Sequence, residues 1–435
     1  MPRRGSGRTV AAAAVVLALG CVGSDRDRDW VARALSERGM ESAGDEDPVA
    51  LLEGGLDERE AVAVALSNSP AYQAELARID SARADLDEAG RIANPQITLV
   101  GALGPISAVA TLLAPLESLW QLPQRTEAAS RQLEAVAEAL VQTGLDLARD
   151  ARLAHVERVL AGDRIRVREE LAATWSELAR IAEVRSRLGE ASPAEAAAVG
   201  AEAHVATDAL ETARTDAAMT DARLRVVLGL EPDAPPADAV FVATPPSPPE
   251  LGDLIVVARA SRPDVRAAEL AIQAAAARAG WERSRVVLLA AQVEGHWTQA
   301  GEPAMRIGGR IELPIFHANQ GGIGRAEAEL ARAQSLLVAT RQRVVAEIVQ
   351  ARARALQAQS SLETYRAEVV PALEEALRVA TRTYELGEES YVVVLDVLRR
   401  MGEARLREAD LVAETRHADA ELERAVGARL EGSAP

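Results

Sequence analysis

The side chains that most often carry out chemistry in proteins are scattered in this sequence. The five histidines show no metal-ligand spacing, and the single cysteine rules out a thiolate metal cluster. No nucleophile stands beside a histidine in a recognisable catalytic motif. We therefore expect the histidines to be solvated or packed, and the sequence predicts no enzyme, no metal site and no cofactor. The histidines are His155, His204, His296, His317 and His417.

A glycine-rich segment, Gly321-Gly322-Ile323-Gly324, precedes a predicted helix. A phosphate-binding loop would need a Lys-Ser/Thr pair here, and a dinucleotide fingerprint would need wider glycine spacing. Neither pattern is present. Together with Pro314, the segment is therefore predicted to form a tight strand-to-helix turn.

The single cysteine, Cys21, follows a short apolar run near the N-terminus. Three arginines lie within the first eight residues, residues 10–19 are apolar, and Gly20 precedes the cysteine. The run is too short to span a bilayer and fits a secretory signal peptide over residues 1–20.

The ending Leu-Ala-Leu-Gly-Cys resembles a bacterial lipobox, so Cys21 is predicted to become an acylated N-terminus. The alternative is an ordinary signal peptide with an incidental cysteine. Val22 in the next position resembles sorting to the outer membrane. The polar residues 21–55 are interpreted as an acylated N-terminal tether.

Composition excludes some classes of protein. Hydrophobic residues make up 48% of the 435 residues but aromatic residues only 3%, which favours long helices packed through small side chains. The formal net charge of −17 disfavours nucleic acid as a partner, because phosphate binding needs a basic face.

The chain is predicted to contain a duplicated unit. Pro70 and Pro263 stand in similar surroundings, and the Leu-Gly-Glu segments at Gly189 and Gly387 have nearly the same separation. A period close to 200 residues is far longer than a solenoid repeat. The predicted units are 56–245 and 246–428, followed by a tail, 429–435.

Each unit has the same order of elements. A helix follows the proline, and a β-like hairpin comes next, at about 95–119 in the first unit and about 286–316 in the second. A long helix then runs without proline between Pro123 and Pro193, and glycines 189 and 387 are predicted to form tight turns before returning helices.

This pattern resembles the TolC-like outer-membrane efflux protein family, as an outer-membrane factor lipoprotein. The resemblance is carried by the segments through Pro70 and Pro263, by the strand-to-helix segment 313–322, and by Tyr384-x-x-Gly387 followed by Leu-Asp-Val at 395–397. The order of these segments and their duplication support the resemblance more than any single motif does.

The resemblance implies a mainly α fold with a small β part, in which duplicated helix–β-hairpin–long helix units form an α-helical periplasmic tunnel. It implies a homotrimer that shares a 12-stranded β-barrel in outer-membrane lipid. It also implies an outer-membrane channel that takes substrates from a periplasmic adaptor (membrane fusion) protein and an inner-membrane transporter. The alternative is a periplasmic coiled-coil lipoprotein that acts as a scaffold or adaptor without a pore.

The resemblance also assigns candidate pore and gate residues. Asp396 corresponds to a family acid that faces the lumen near the closed tip, and Glu195 is the candidate for a second acid. Tyr384 matches a position that holds the tip shut, with tip turns at Gly189 and Gly387. The alternative for Asp396 is an acid near a helix start with no function beyond the helix dipole.

Overall fold

The computed structural model describes residues 25–44, 55–101, 108–231, 234, 239–241, 247–297, 304–386, 388 and 390–430. A π-helical segment, Tyr365–Val369, joins the helix Gln320–Thr364 to the helix Val370–Glu385. The strands are β1 Gln96–Val100, β2 Ala108–Pro115, β3 Leu288–Trp297 and β4 Ala304–Glu312. The helices are α1 Arg28–Ser36, α2 Glu58–Asn68, α3 Pro70–Ala89, α4 Glu117–Arg187, α5 Pro193–Leu228, α6 Leu251–Ser261, α7 Pro263–Ser284, α8 Gln320–Thr364, α9 Val370–Glu385 and α10 Tyr391–Val426.

The predicted duplication is present in the fold. The returning helices α5 and α10 have 36 residues each, and each begins after a serine whose hydroxyl caps the first turn. Each ends at a left-handed glycine, Gly229 (φ 69°) or Gly427 (φ 83°). A Cβ at Gly229 would lie 2.5 Å from the Asn68 carbonyl oxygen, and one at Gly427 would lie 3.1 Å from Cδ of Arg262. Glycine therefore allows the same close joint between helices in both units.

The long helix α4 has 71 residues, which corresponds to about 107 Å at 1.5 Å per residue. It runs through Pro123, which had been expected to precede it. Small residues such as Gly144 and Ala151 lie on its buried face, so neighbouring helices can approach closely. No helix in the described part of the chain combines the length and apolarity that a membrane span requires.

The four strands form one antiparallel sheet in the order β1-β2-β3-β4. In such a sheet, directly opposed residues share a face. The register pairs Ile97 with Leu112 and Val293 with Ile307, and the whole of that face is apolar. The other face carries every charged, amide, hydroxyl and imidazole side chain of the strands: Gln96, Thr98, Thr111, Gln292, Glu294, His296, Arg306, Arg310 and Glu312.

The segment that was interpreted as a tether contains helix α1. Asp27 caps it by accepting a hydrogen bond from the Trp30 N–H at 2.8 Å. Its buried side chain Leu35 packs against α4 at Gly144, where a Cβ would lie 2.6 Å from Cδ1 of Leu35. Residues 25–44 therefore include a docked arm of the core rather than an extended linker alone.

Candidate functional site

The first tip turn connects α4 to α5 and contains Gly189 at φ 80°. Ser192 caps α5 by accepting a hydrogen bond from the Glu195 N–H at 3.1 Å. Glu195 thus lies in the first turn of α5, where a carboxylate is favourable to the helix dipole. The second predicted tip glycine, Gly387, lies outside the described residues.

An aromatic pair lies beside this turn. The rings of Tyr384, near the end of α9, and Tyr391, at the start of α10, have centroids 5.4 Å apart and are inclined at 53°. The Arg185 guanidinium, from the last turn of α4, lies 4.7 Å from the Tyr384 ring centroid, within range of a cation–π contact. Arg185 therefore connects the tip of the first unit to the tip of the second.

Burial of the tyrosine pair raises the pKa of both hydroxyl groups. Burial raises the pKa of Tyr391, and the Tyr384 hydroxyl and the Glu195 carboxylate raise it further. Burial also raises the pKa of Tyr384, although Arg185 opposes this shift. Both phenols are therefore neutral, and Glu195 lies close enough to influence them. We call Arg185, Tyr384 and Tyr391 the tip latch.

A hydrophobic cluster supports the latch from within the bundle. It joins side chains of α4, α5 and α10, and Tyr391 is one of its buried members. The tips of the two units are therefore packed together within one chain. The buried members are Trp175, Ala182, Val199, Tyr391 and Leu398.

Asp396 lies apart from the latch. Its side chain is exposed, and Oδ2 lies 2.9 Å from Nε of Arg400, one turn further along α10. Of the predicted gate residues, the structure brings Glu195 and Tyr384 together and leaves Asp396 paired within its own helix. Sequence reasoning missed Arg185 and Tyr391, and Tyr391 could have been found from its place beside the serine cap.

The strand-to-helix connection after β4 holds the other predicted turn residues. Pro314 lies in the connection, while Gly321 and Gly322 lie in the first turn of α8. Asn319 adopts φ 54°, and its amide donates hydrogen bonds to the backbone oxygen (2.9 Å) and a carboxylate oxygen (2.7 Å) of Glu282. A Cβ at position 322 would lie 2.4 Å from Oδ1 of Asn319, so glycine is required there.

A buried group of charges, which the sequence did not indicate, joins the two units near mid-length of α4. Arg152 lies 2.7 Å from a carboxylate oxygen of Asp419, 2.6 Å from Glu423 and 3.2 Å from Glu58. Glu58 also contacts Arg416 at 2.5 Å. We call these five residues the junction cluster.

Within the junction cluster, the pKa values of two acids are shifted in opposite directions. Burial would raise the pKa of Glu58, but Arg152 and Arg416 together outweigh burial and hold that pKa below its usual value. Burial raises the pKa of Asp419, and Arg152 only partly offsets the rise. Nearby His155 is fully buried, and its Nε2–H donates a hydrogen bond to the Leu56 carbonyl at 2.8 Å; burial is the main cause of its lowered pKa.

Two open grooves flank α10 near the tip. The larger, about 670 Å³, lies between α4, α9 and α10 and is lined by residues that include Leu171, Leu377 and Met401. The smaller, about 290 Å³, lies between α4, α5 and α10. Within the described residues, no group of three or more histidine, cysteine, aspartate or glutamate side chains is arranged to hold a metal ion.

This arrangement of elements is similar to that of outer-membrane efflux proteins. The sequence profile of the outer membrane efflux protein family matches residues 254–428. The predicted fold class and family resemblance are thereby confirmed.

Individual proteins show the same similarity. The chain is 26% identical to the cobalt-zinc-cadmium resistance protein CzcC of Cupriavidus metallidurans over 385 residues, which cover 86% of this chain and 90% of CzcC. Its fold matches that of CusC with a TM-score of 0.72 at 19% identity, covering 86% of this chain and 93% of CusC. It matches VceC of Vibrio cholerae equally well, with a TM-score of 0.72 at 19% identity over 88% of this chain and 97% of VceC.

Proposed function

We propose that this chain is the outer-membrane channel subunit of a tripartite efflux system. It would passively conduct substrates from a periplasmic adaptor and an inner-membrane pump to the exterior. One observation carries the proposal: the sheet separates all its polar side chains onto one face and leaves the other apolar. A wall between lipid and a water-filled pore needs this separation, whereas a periplasmic scaffold has no use for it.

The sheet also supports a homotrimer. Strands β1 and β4 are its edge strands, and unpaired strand edges cannot face lipid. Three copies would pair β4 of one chain with β1 of the next and share twelve strands. Purified in detergent, the protein should have the mass of three chains; a stable monomer that needs no detergent would favour the scaffold.

The two sheet faces provide a direct test of the channel. Leu99→Arg places a charge on the apolar face, and Thr98→Arg places the same charge one residue away on the polar face. An arginine facing lipid costs about 2–4 kcal/mol per chain at mid-bilayer. We expect Leu99→Arg to reduce membrane insertion and Thr98→Arg to conduct in planar bilayers. Equal insertion of both variants would contradict a membrane-embedded sheet.

The docked arm supports lipidation of Cys21. Arg28, at the start of α1, forms an ion pair with Asp80 of α3. Asp80 lies nine residues before the end of α3, about 14 Å below the level where the strands begin. Seven residues from Cys21 to Arg28 reach up to about 25 Å when extended, so an acyl chain on Cys21 can reach the inner leaflet of the outer membrane. Cys21→Ala should leave an unprocessed precursor, and normal processing would contradict lipidation.

The tip latch is proposed as the contact that closes the periplasmic end. It joins the two units through a cation–π contact and a ring–ring contact, and the hydrophobic cluster excludes water beneath it. The grooves beside α10 offer an adaptor two places to pack helices and shift the population towards an open tip. Glu195 and Asp396 would supply negative charge to the lumen near the constriction.

CzcC, by its name, confers resistance to cobalt, zinc and cadmium. We propose these divalent cations as the first substrates to test. Deletion of the gene should raise sensitivity to the cations and leave sensitivity to uncharged antibiotics unchanged. The opposite pattern would assign the channel to a drug pump.

A further inference from the structure

A pocket of about 330 Å³ lies beside the junction cluster. It is formed by the loop after α1, the first half of α2, the middle of α4 and the chain that follows α10. Three arginines from different elements, Arg59, Arg152 and Arg429, line it. The first unit and the end of the second unit therefore enclose one pocket in which guanidinium groups are concentrated.

Three acids of the pocket lining already have partners within the protein. Glu58 and Glu423 contact arginines of the junction cluster. The Leu430 N–H also donates a hydrogen bond to Glu423 at 3.2 Å. Glu60 caps its own helix by accepting a hydrogen bond from the Asp57 N–H at 2.8 Å. These contacts occupy the three carboxylates.

Arg429 is held in the lining by its backbone and by its aliphatic stem. Its N–H donates a hydrogen bond to the Arg38 carbonyl at 3.2 Å. A Cβ at Gly39 would lie 3.1 Å from both Cβ and Cδ of Arg429, so the stem packs directly on the loop after α1. In the described part of the chain, no carboxylate or carbonyl forms a hydrogen bond or an ion pair with its guanidinium. The fourth acid of the lining, Glu41, is exposed to water.

The surroundings of Arg429 compensate its charge only in part. Burial lowers the pKa of Arg429, and Glu423 opposes this shift. Arg59 and Arg152 lower the pKa further, because like charges disfavour the protonated form. A partly buried cation without a partner is unfavourable unless an anion binds beside it. The arrangement therefore favours an anionic ligand.

The rest of the lining restricts the chemistry of that anion. Met40, Val62 and Ala63 provide apolar surface in the same pocket. A carboxylate carries a single charge and matches the fork of a guanidinium, whereas a doubly charged phosphate would be repelled by the acids of the lining. The pocket also lies about 52 Å along α4 from its first residue, so a lipid phosphate near the sheet is out of reach.

We propose that this pocket binds a carboxylate that carries a small aliphatic group, and that Arg429 is the residue that pairs with it. The Arg429 guanidinium donates two hydrogen bonds to the carboxylate, Arg59 lies beside the pair, and the aliphatic group contacts Met40 and Val62. A free organic acid and the C-terminal residue of a peptide share this chemistry. The pocket is separate from the sheet and from the tip latch, so the proposal does not depend on the pore.

Isothermal titration calorimetry of the full chain in detergent tests the site. The probes are isobutyrate, a free acid, and N-acetyl-alanyl-alanine, a peptide C-terminus, in a buffer without other carboxylates. The wild-type chain should bind one or both probes saturably, at one site per chain. Tighter binding of the peptide would identify a peptide as the ligand, and tighter binding of isobutyrate would identify a free acid. N-acetyl-alanyl-alanine amide, which lacks the carboxylate, should not bind.

Variants test the role of Arg429. Arg429→Gln should weaken binding at least about tenfold, because it removes a charge-assisted pair of hydrogen bonds. Arg429→Lys should weaken it less, because lysine keeps the charge but not the fork. Arg78→Gln is the matched control, because Arg78 is an exposed arginine of α3 that pairs with Glu75 at 2.9 Å, and it should leave binding unchanged.

Thermal melts provide a second measurement. The preferred probe should raise the Tm of the wild-type chain and of Arg78→Gln, but not that of Arg429→Gln, because only a ligand bound to the folded chain stabilises it. The melts without ligand show whether each variant is folded. The proposal would be overturned if neither acid bound saturably, if the amide bound as tightly as the acid, or if folded Arg429→Gln bound as tightly as the wild type.

Discussion

Arg152→Met tests the junction cluster. The side chain is 12% exposed and contacts carboxylates from α2 and α10, so it joins the first unit to the end of the second. Methionine retains most of the volume but removes the guanidinium that contacts all three acids. Removing one partner from a buried ionic network costs about 3–5 kcal/mol.

This loss of stability can be expressed as a decrease in Tm. An unfolding entropy of about 2.1 cal/mol/K per residue gives about 0.9 kcal/mol/K for 435 residues, so about 4 kcal/mol lowers Tm by about 4 °C. Circular dichroism melts in detergent at a fixed scan rate measure the shift. Arg149→Met is the matched control, because Arg149 is three residues away on α4 and contacts more exposed acids, Asp150 at 2.6 Å and Glu421 at 3.8 Å. Its Tm should change by less than about 1 °C.

The pH dependence of this variant has a definite sign. In the wild type, Glu58 has a lowered pKa, so its contribution to stability is present above the unfolded carboxyl pKa and is lost as the pH falls. Asp419 has a raised pKa, and its contribution is present at low pH and lost as the pH rises. The contributions of Glu58 and Asp419 to the pH dependence of stability therefore oppose each other.

Without Arg152, burial dominates both acids, and both pKa values should lie above their unfolded values. The folded variant then binds more protons than the unfolded chain, so its stability rises as the pH falls. The Tm difference from wild type should narrow between pH 7 and pH 5. A difference that stays constant or widens would refute the assignment of a charge network.

Three further predictions concern the arm and the tip. Gly144→Ala places a methyl group 2.6 Å from Leu35 and should loosen α1, seen as faster proteolysis of residues 25–44; Gly200→Ala, where no atom lies within 4 Å, should not. Tyr384→Ala should raise basal conductance more than Tyr384→Phe, because phenylalanine keeps both ring contacts; equal effects would assign closure to the hydroxyl alone. Asp396→Asn leaves Arg400 unpaired and should reduce cation preference in reversal-potential measurements, and an unchanged preference would make Asp396 only a helix-start residue.

Local signals in the sequence account for the parts of the fold that could be predicted. Pro263 begins α7, Ser192 and Ser390 cap the returning helices, and their positions along the chain indicate the duplication. Helix α1 was missed because its cap, Asp27, stands in a polar segment whose burial depends on contacts with α4.

Features that depend on distant contacts could not be predicted. Arg152 meets Asp419 and Glu423 more than 260 residues later in the chain, so no spacing rule relates them. Arg185 and Tyr384 are likewise brought together by the packing of two hairpins. Pro371 was visible in the sequence, but whether a proline kinks a helix, ends it or widens one turn depends on the packing around it.

The continuous helix α4 also acts as a lever. From Arg152 to its end at Arg187 the helix extends about 52 Å, so a tilt of one degree at the junction cluster moves the tip by about 0.9 Å. A few degrees would exceed the tolerance of a cation–π contact. Small angular errors where the two units join are thus magnified at the tip, and the ion pairs of the junction cluster lie at the fulcrum.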